Sequence, residues 1–238
     1  MALKLLKLGE QLSPQTPLER QLSDYCRDHQ LDVTLEWKNG QWWLHSDLEE
    51  ERPITVEIDR ELERHEAYFK KSSLQKELLA KAIGVKGSFR PKVFDLTAGL
   101  LGDTLLFLSF GCKVEAFERH PLIKVLIESA IQNATHAGIK NLIFHSEEAR
   151  ELNLQENSVL YFDPMFEDPN RKVSPRKEMR IFRQVVGDDL DAMDVFKKLR
   201  DMKAKRLVVK RPRQSRALTD EKPLEYEGKS TRYDVYFP

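Results

Sequence analysis

From Pro91 to the carboxyl terminus the chain alternates short apolar, β-rich segments with segments of helical periodicity, and this rhythm restricts the fold more than any other feature. Residues 93–96, 113–117, 141–145, 159–162 and 206–210 read as strands. Residues 103–110 and 122–137 read as helices, and 175–202 is helix-like. Strands separated by helices pair in parallel and bury both faces, so the expectation is an α/β fold: a doubly wound, mainly parallel sheet covered by helices on both faces. Residues 232–237 alternate and predict a closing antiparallel strand.

Before Pro91 the pattern differs. Residues 17–30 predict a short helix, and 31–37 and 41–46 alternate around Asn39-Gly40, a dipeptide suited to a type I′ hairpin turn. Residues 54–58 predict a third strand, and 59–83 a long polar helix stopped by Gly84. The reading is therefore a small N-terminal α/β domain over 1–84, with hairpin and linking helix, and a larger doubly wound domain over 85–238.

The 238 residues suffice for such a core. Lys and Arg number 39, as do Asp and Glu, so the neutral chain is not an indiscriminate nucleic-acid binder, although a local basic face is compatible with that balance. Cys26 and Cys112 have no paired or metal-binding spacing and fit a reducing, cytoplasmic setting. Residues 1–9 lack a leader's apolar core, no apolar run is long enough for a membrane span, and His65, His120 and His145 show no metal spacing. Neither a membrane nor a metal is expected.

The strongest local feature is Val93-Phe94-Asp95-Leu96-Thr97-Ala98-Gly99-Leu100-Leu101-Gly102-Asp103, a buried strand running into a glycine-bearing turn and a helix. Open α/β sheets bind ligands at the carboxyl ends of their strands, where small residues admit close backbone approach. Such a turn can equally be a mere tight connection. The next strand ends in Glu118, about twenty residues past the first glycine, where a carboxylate can accept both hydroxyls of a ribose; the bland alternative is a solvated acid. A dinucleotide wants G-x-G-x-x-G and a helix amino terminus free for pyrophosphate. Here the spacing is Gly99-x-x-Gly102, and Asp103 and Asp95 put negative charge where phosphates would lie. That charge suits the sulfonium and ammonium of S-adenosylmethionine.

The second feature is Tyr161-Phe162-Asp163-Pro164-Met165-Phe166, which follows an apolar strand and so reaches the same sheet edge. Asp163 offers a hydrogen-bond acceptor for an amine, Pro164 a rigid backbone, and Phe166 a stacking face for a flat ring. Methyl transfer from a sulfonium is a direct displacement, so alignment is the main requirement. In the alternative, Asp163 caps a turn and Phe166 is core.

Asp95-Leu96-Thr97-Ala98-Gly99, Phe117-Glu118-Arg119, Asp163-Pro164-Met165-Phe166, Lys177-Glu178-Met179-Arg180 and Val208-Val209-Lys210-Arg211-Pro212 together resemble the bacterial small-subunit ribosomal RNA guanine-N2 methyltransferases of the RsmJ type, from about Ala80 onward. The resemblance implies a Rossmann-like class I methyltransferase that transfers a methyl from S-adenosylmethionine to the N2 amine of a guanine in 16S ribosomal RNA. It places the donor against Gly102, Asp103, Glu118, Arg119, Glu147, Glu148 and Asp163, beside Asp95 and Gly99 from the turn. The family's turn reads Ala-Gly-Leu-Gly-x-Asp; here Leu101 stands where the second glycine would be and Gly102 follows. The family also carries small hydroxyl residues where Glu147 and Glu148 stand, and a glycine-rich stretch where this chain has Tyr68-Phe69-Lys70-Lys71-Ser72-Ser73.

Between Arg171 and Arg216 basic residues crowd together, and Lys210, Arg211 and Arg213 after a strand, with Lys177 and Arg180, are the expected RNA contacts. The partner implied is ribosomal RNA or the small subunit. An amino-methyltransferase for another RNA or DNA base, a non-catalytic RNA-binding module, and a nicotinamide oxidoreductase remain the alternatives.

Overall fold

The computed structural model describes residues 4–7, 10–11, 17–31, 33–46, 52–146, 152, 154, 156–165, 182, 185–187 and 189–238. In chain order its strands are β1 (Lys4–Lys7), β2 (Glu10–Gln11), β3 (Val33–Lys38), β4 (Gln41–Ser46), β5 (Lys92–Asp95), β6 (Lys113–Phe117), β7 (Leu142–His145), β8 (Ser158–Phe162), β9 (Arg206–Pro212), β10 (Leu224–Glu227) and β11 (Thr231–Tyr236). The helices are α1 (Pro17–Asp28), α2 (Ile58–Phe69), α3 (Leu78–Ile83), α4 (Gly102–Ser109), α5 (Pro121–Asn133) and α6 (Ala192–Asp201). The contacts divide the chain into two units: 1–58 with 120–134 and 170–187, and 59–119 with 135–169 and 188–238.

In the first unit four strands run in the order β2-β1-β3-β4, with β1 parallel to β3. The hairpin turns through Asn39 (φ 53°) and Gly40 (φ 80°), the positive pair a type I′ turn needs. A Cβ on Gly40 would also come within 2.6 Å of the Asn133 side chain. Leu22 and Cys26 of α1, Val33 and Leu35 of β3 and Leu44 of β4 are fully buried. Helix α5 belongs to this unit and is fastened to the hairpin by Trp42 N–H to Ser129 Oγ (3.1 Å) and Asn133 Nδ2 to the Asn39 carbonyl (3.1 Å). The third strand expected over 54–58 reduces to a single bridge of Ile54 with Leu44. Pro53 supplies no N–H to extend that pairing, and Ile58 already begins α2.

In the second unit seven strands run β10-β11-β9-β8-β5-β6-β7; the five from β9 to β7 are parallel, while β11 is antiparallel to both β9 and β10. Strand β10 has no sequence expectation behind it, because most of its side chains are exposed and it lacks an apolar alternation. The chain steps outward from β5 through β6 to β7, then returns to place β8 on the other side of β5. That reversal opens a crevice beyond the carboxyl ends of β5 and β8. Phe94, Phe117, Leu160, Phe162, Phe196, Leu207 and Tyr236 form one buried cluster that fixes these strands against α6.

The single helix expected over 59–83 is instead α2, a short 3-10 turn and α3. The break falls at Ser72-Ser73, where the Ser73 hydroxyl caps the next turn by accepting from Gln75 N–H (3.3 Å), a local bond that competes with helix continuation. Gly84, at φ 86°, ends α3 as expected. Cys26 and Cys112 are buried free thiols, and burial pushes them up to about 11 and about 12.

Candidate active site

The loop between β5 and α4 is shaped by two residues with positive φ, Gly99 (51°) and Leu101 (63°). Leu101, standing in the second glycine's place of the resembling family, keeps a left-handed conformation and caps α4 with its side chain wholly buried. Gly102 opens α4, and a Cβ on it would meet nothing within 4 Å.

Asp95 ends β5 but is buried. Its Oδ2 accepts from Thr104 Oγ1 (2.5 Å) and its Oδ1 from Thr97 N–H (3.3 Å). Burial pushes its pKa up to about 7, assisted by the nearby Asp103 and Asp163 charges and opposed by the Thr104 and Thr97 hydrogen bonds. Asp95 therefore braces the turn from within. Glu118, also buried, accepts from the Gly99 N–H through Oε2 (2.9 Å), which joins the end of β6 to the turn.

Beyond β8, the Asp163 N–H donates to Thr97 Oγ1 (2.7 Å), so the turn and the Asp163-Pro164 segment are tied at the sheet's reversal point. Lys210, from β9, reaches Asp103 Oδ2 at 2.7 Å and Asp163 Oδ2 at 2.8 Å, while Tyr161 donates its hydroxyl to Asp103 Oδ2 at 2.5 Å. Burial would lower the Lys210 pKa, but the two carboxylates outweigh it and hold the ammonium well above the ordinary lysine range. Burial raises Asp163, Lys210 opposes that, and Asp103 reinforces it; the direction is upward. Burial likewise raises the Tyr161 phenol, with the Asp103 and Asp163 charges adding to the effect, so it acts as a neutral donor.

Arg119 leaves β6 and meets two aspartates: Nη2 to Asp189 Oδ1 (2.6 Å) and Nη1 to Asp191 Oδ2 (2.6 Å). The Asp191 hydrogen bond is the larger cause that raises its pKa. Asp189 also accepts the Met165 N–H (2.7 Å), so Arg119 is linked through Asp189 to the segment after Pro164.

The structure thus brings Asp95, Gly99, Gly102, Asp103, Glu118, Arg119, Asp163 and Pro164 to one side of the seven-stranded sheet. Of the expected RNA contacts, Lys210 lies within this cluster as the counter-ion of two carboxylates. Arg211 is buried, donating to the Arg216 carbonyl and lying 3.8 Å from Asp234. Arg213 is exposed and pairs with Glu227 at 3.3 Å. Phe166, Glu147, Glu148, Lys177 and Arg180 lie outside the described residues. Sequence reasoning missed Thr97, Thr104, Tyr161, Asp189 and Asp191 as partners; of these, Thr97 and Tyr161 lay inside the two quoted motifs and so carried a local signal.

The residues fit S-adenosylmethionine. Two carboxylates, Asp103 and Asp163, face one ammonium, an acid excess suited to a cationic donor, and open space lies where a Gly102 Cβ would project. No group of metal-ligating side chains occurs among the described residues, and no helix among them is long and apolar enough to cross a membrane.

Sheet order, reversal point and turn together define a Rossmann-like class I methyltransferase. Residues 19–238 match the family model SAM_MT, "Putative SAM-dependent methyltransferase". A ribosomal RNA small subunit methyltransferase J from Laribacter hongkongensis is 43% identical over 172 residues, 67% of this chain and 60% of that protein. Another, from Stutzerimonas stutzeri, is 36% identical over 194 residues, 77% of this chain and 74% of that protein. The crystal structure of the SAM-dependent methyltransferase NGO1261 from Neisseria gonorrhoeae superposes with a TM-score of 0.66 at 26% identity, covering 99% of this chain and 96% of that one. The chain belongs to this SAM-dependent methyltransferase family and is similar in sequence to the ribosomal RNA small subunit methyltransferases J.

Proposed function

We propose that this protein methylates the exocyclic N2 amine of a guanine in 16S ribosomal RNA, acting in the cytoplasm on the RNA or the small subunit. The observation that carries the reading is the hydrogen bond from the Asp163 backbone N–H to Thr97 Oγ1, which ties the residue proposed to bind the amine to the turn proposed to hold the donor, at the sheet's reversal point. The names of the relatives support the RNA substrate. Residues 85–238 would perform the transfer, and 1–84 would form a separate small domain.

When bound, S-adenosylmethionine supplies an electrophilic methyl on a sulfonium. Gly99, Gly102 and Asp103 line its place at the turn, Glu118 accepts from the ribose hydroxyls, and Arg119, Glu147 and Glu148 complete the donor contacts. Asp163, its Oδ2 occupied by Lys210, accepts an amine hydrogen through Oδ1 and so points the nitrogen lone pair away from the carboxylate, toward the methyl. Transfer would form the N–C bond as the donor's S–C bond breaks, leaving a neutral thioether, and the proton shed by the nitrogen would pass to Asp163 Oδ1. Pro164 limits the backbone behind the amine, Phe166 stacks on the flipped base, and Arg213, Lys177 and Arg180 hold phosphates.

Incorporation of labelled methyl from S-adenosylmethionine into bacterial ribosomal RNA, with the nucleoside identified by mass spectrometry, tests this. The expected product is N2-methylguanosine, lost in Asp163→Ala. A different methylated nucleoside would displace the guanine assignment, and full activity in Asp163→Ala would remove that residue from its role.

A further inference from the structure

The edge of the seven-stranded sheet opposite the candidate active site carries a row of cations. Lys92, Lys113 and Arg206 are the first residues of β5, β6 and β9, and Lys205 immediately precedes β9. Lys92 and Lys113 are register partners on neighbouring strands. Two cavities open along this edge, one of about 240 Å³ bordered by Lys86, Phe89, Lys205 and Arg206, the other of about 350 Å³ bordered by Lys92, Lys113 and Lys140. In a chain with equal numbers of acidic and basic residues, such a row is segregated charge.

Two exposed aromatic rings accompany it. Phe89 is 42% exposed with the Lys205 ammonium 5.6 Å from its ring centre, and Phe237 is 44% exposed with the Arg206 guanidinium at 5.3 Å. Among the described residues, Glu115 is already held by Lys92 (2.6 Å) and His145 (3.0 Å), and Glu156 precedes β8. Among the described residues Lys86, Lys113, Lys140 and Lys205 form no ion pair with a carboxylate. Unneutralised cations interleaved with open aromatic faces suit a ligand with both phosphates and flat bases.

We propose that this edge is a second RNA-binding surface, taking a single-stranded or looped segment with its phosphates on Lys86, Lys113, Lys140 and Lys205 and a base stacked on Phe89. The proposal rests on the reading that RNA is the substrate. At about 3.3 Å per residue, β8 separates this edge from Asp163 by roughly 15 Å, and strands about 4.8 Å apart spread the row from Arg206 to Lys113 over roughly 14 Å. RNA held here approaches the active site around the side of the sheet.

The test is titration of the full chain with a labelled single-stranded RNA of mixed sequence across a salt series. Lys86→Glu combined with Lys205→Glu should weaken binding at least tenfold at low salt and flatten the salt slope by about 1.4, near 0.7 for each lost phosphate contact. Phe89→Ala should weaken binding about tenfold with the slope unchanged, because stacking releases no counterions. S-adenosylmethionine affinity and melting temperature should stay at wild-type values. Lys113→Ala with Lys140→Ala reads the same surface should the first pair fail to fold. Wild-type affinity and slope in the folded variants would overturn the proposal, whatever the methylation activity. Absence of methyl transfer to RNA by the wild type, alongside weakened binding in the variants, would overturn the proposed function and leave this surface standing.

Discussion

Lys210 Nζ lies 2.8 Å from Asp163 Oδ2 and holds the Asp163 carboxylate toward β9, on one side of the segment that would receive the amine. The same ammonium meets Asp103 at 2.7 Å, so one cation joins the donor turn to the acceptor segment and keeps two acids from repelling each other.

Replacing Lys210 by Met removes a cation that draws the Asp163 pKa down while leaving the burial and the Asp103 charge that raise it. The acidic limb of the methyl-transfer pH profile should move upward, and kcat should fall at least tenfold at neutral pH. Stability should drop by about 2 kcal/mol, less than for a fully buried pair because about a third of each side chain is open to water. A pH profile unchanged from the wild type would separate Lys210 from the state of Asp163.

Asp95 predicts an unusual stability curve. Its folded pKa of about 7 lies above the ordinary 3.8, so between pH 4 and 7 the unfolded chain releases this proton while the folded chain keeps it. The folded state then binds more protons, and Asp95's contribution to stability falls as pH rises through that window, by on the order of 4 kcal/mol at most, and is level above it. Asp95→Asn keeps an acceptor for Thr97 N–H and a polar partner for Thr104, so it should lose this slope and be at least as stable at pH 8. Urea unfolding of both proteins from pH 4 to 8 makes the comparison; parallel curves would count against a protonated Asp95.

What the sequence makes legible here follows from periodicity and local motifs. Strands β5, β6, β7, β8 and β9 and the turn after β5 were expected because parallel strands are buried runs punctuated by glycine. The hairpin was expected because Asn39-Gly40 needs no distant partner. By contrast, Lys210 sits beside Arg211 in a run of charges that reads as surface, and its inward direction depends on Asp103 and Asp163, 107 and 47 positions away in the chain. Asp189 and Asp191 are equally silent until Arg119 is folded against them. The α2–α3 break was missed because helical periodicity passes smoothly over Ser72-Ser73, whereas the capping bond that stops the helix has no period.

Leu101 should reverse the usual ranking of small residues next to a helix. Its side chain is wholly buried, so truncation to Ala costs about 2–5 kcal/mol. Yet its φ of 63° strains any residue bearing a Cβ by about 1–2 kcal/mol, and only Gly escapes that cost. Leu101→Gly should therefore be less stable than wild type but more stable than Leu101→Ala, by about 1 kcal/mol after allowing for the extra freedom of Gly in the unfolded chain. Denaturant unfolding gives the order directly. Ala above Gly would mean that the loop relaxes out of its left-handed conformation on truncation.

Gly102 separates the demands of folding from those of donor binding. A Cβ there touches nothing within 4 Å, and the position is the first residue of α4 with no positive φ, so Gly102→Ala should leave the melting temperature unchanged or slightly higher. Were the methyl group to project into the space the donor fills, affinity for S-adenosylmethionine should fall at least tenfold, and Gly102→Leu should abolish binding while the protein stays folded. Calorimetric titration with S-adenosylmethionine, run beside thermal melts, reads both. Loss of folding without a change in affinity among the remaining folded molecules would assign Gly102 to packing, and wild-type affinity in both folded variants would move the donor away from the amino terminus of α4.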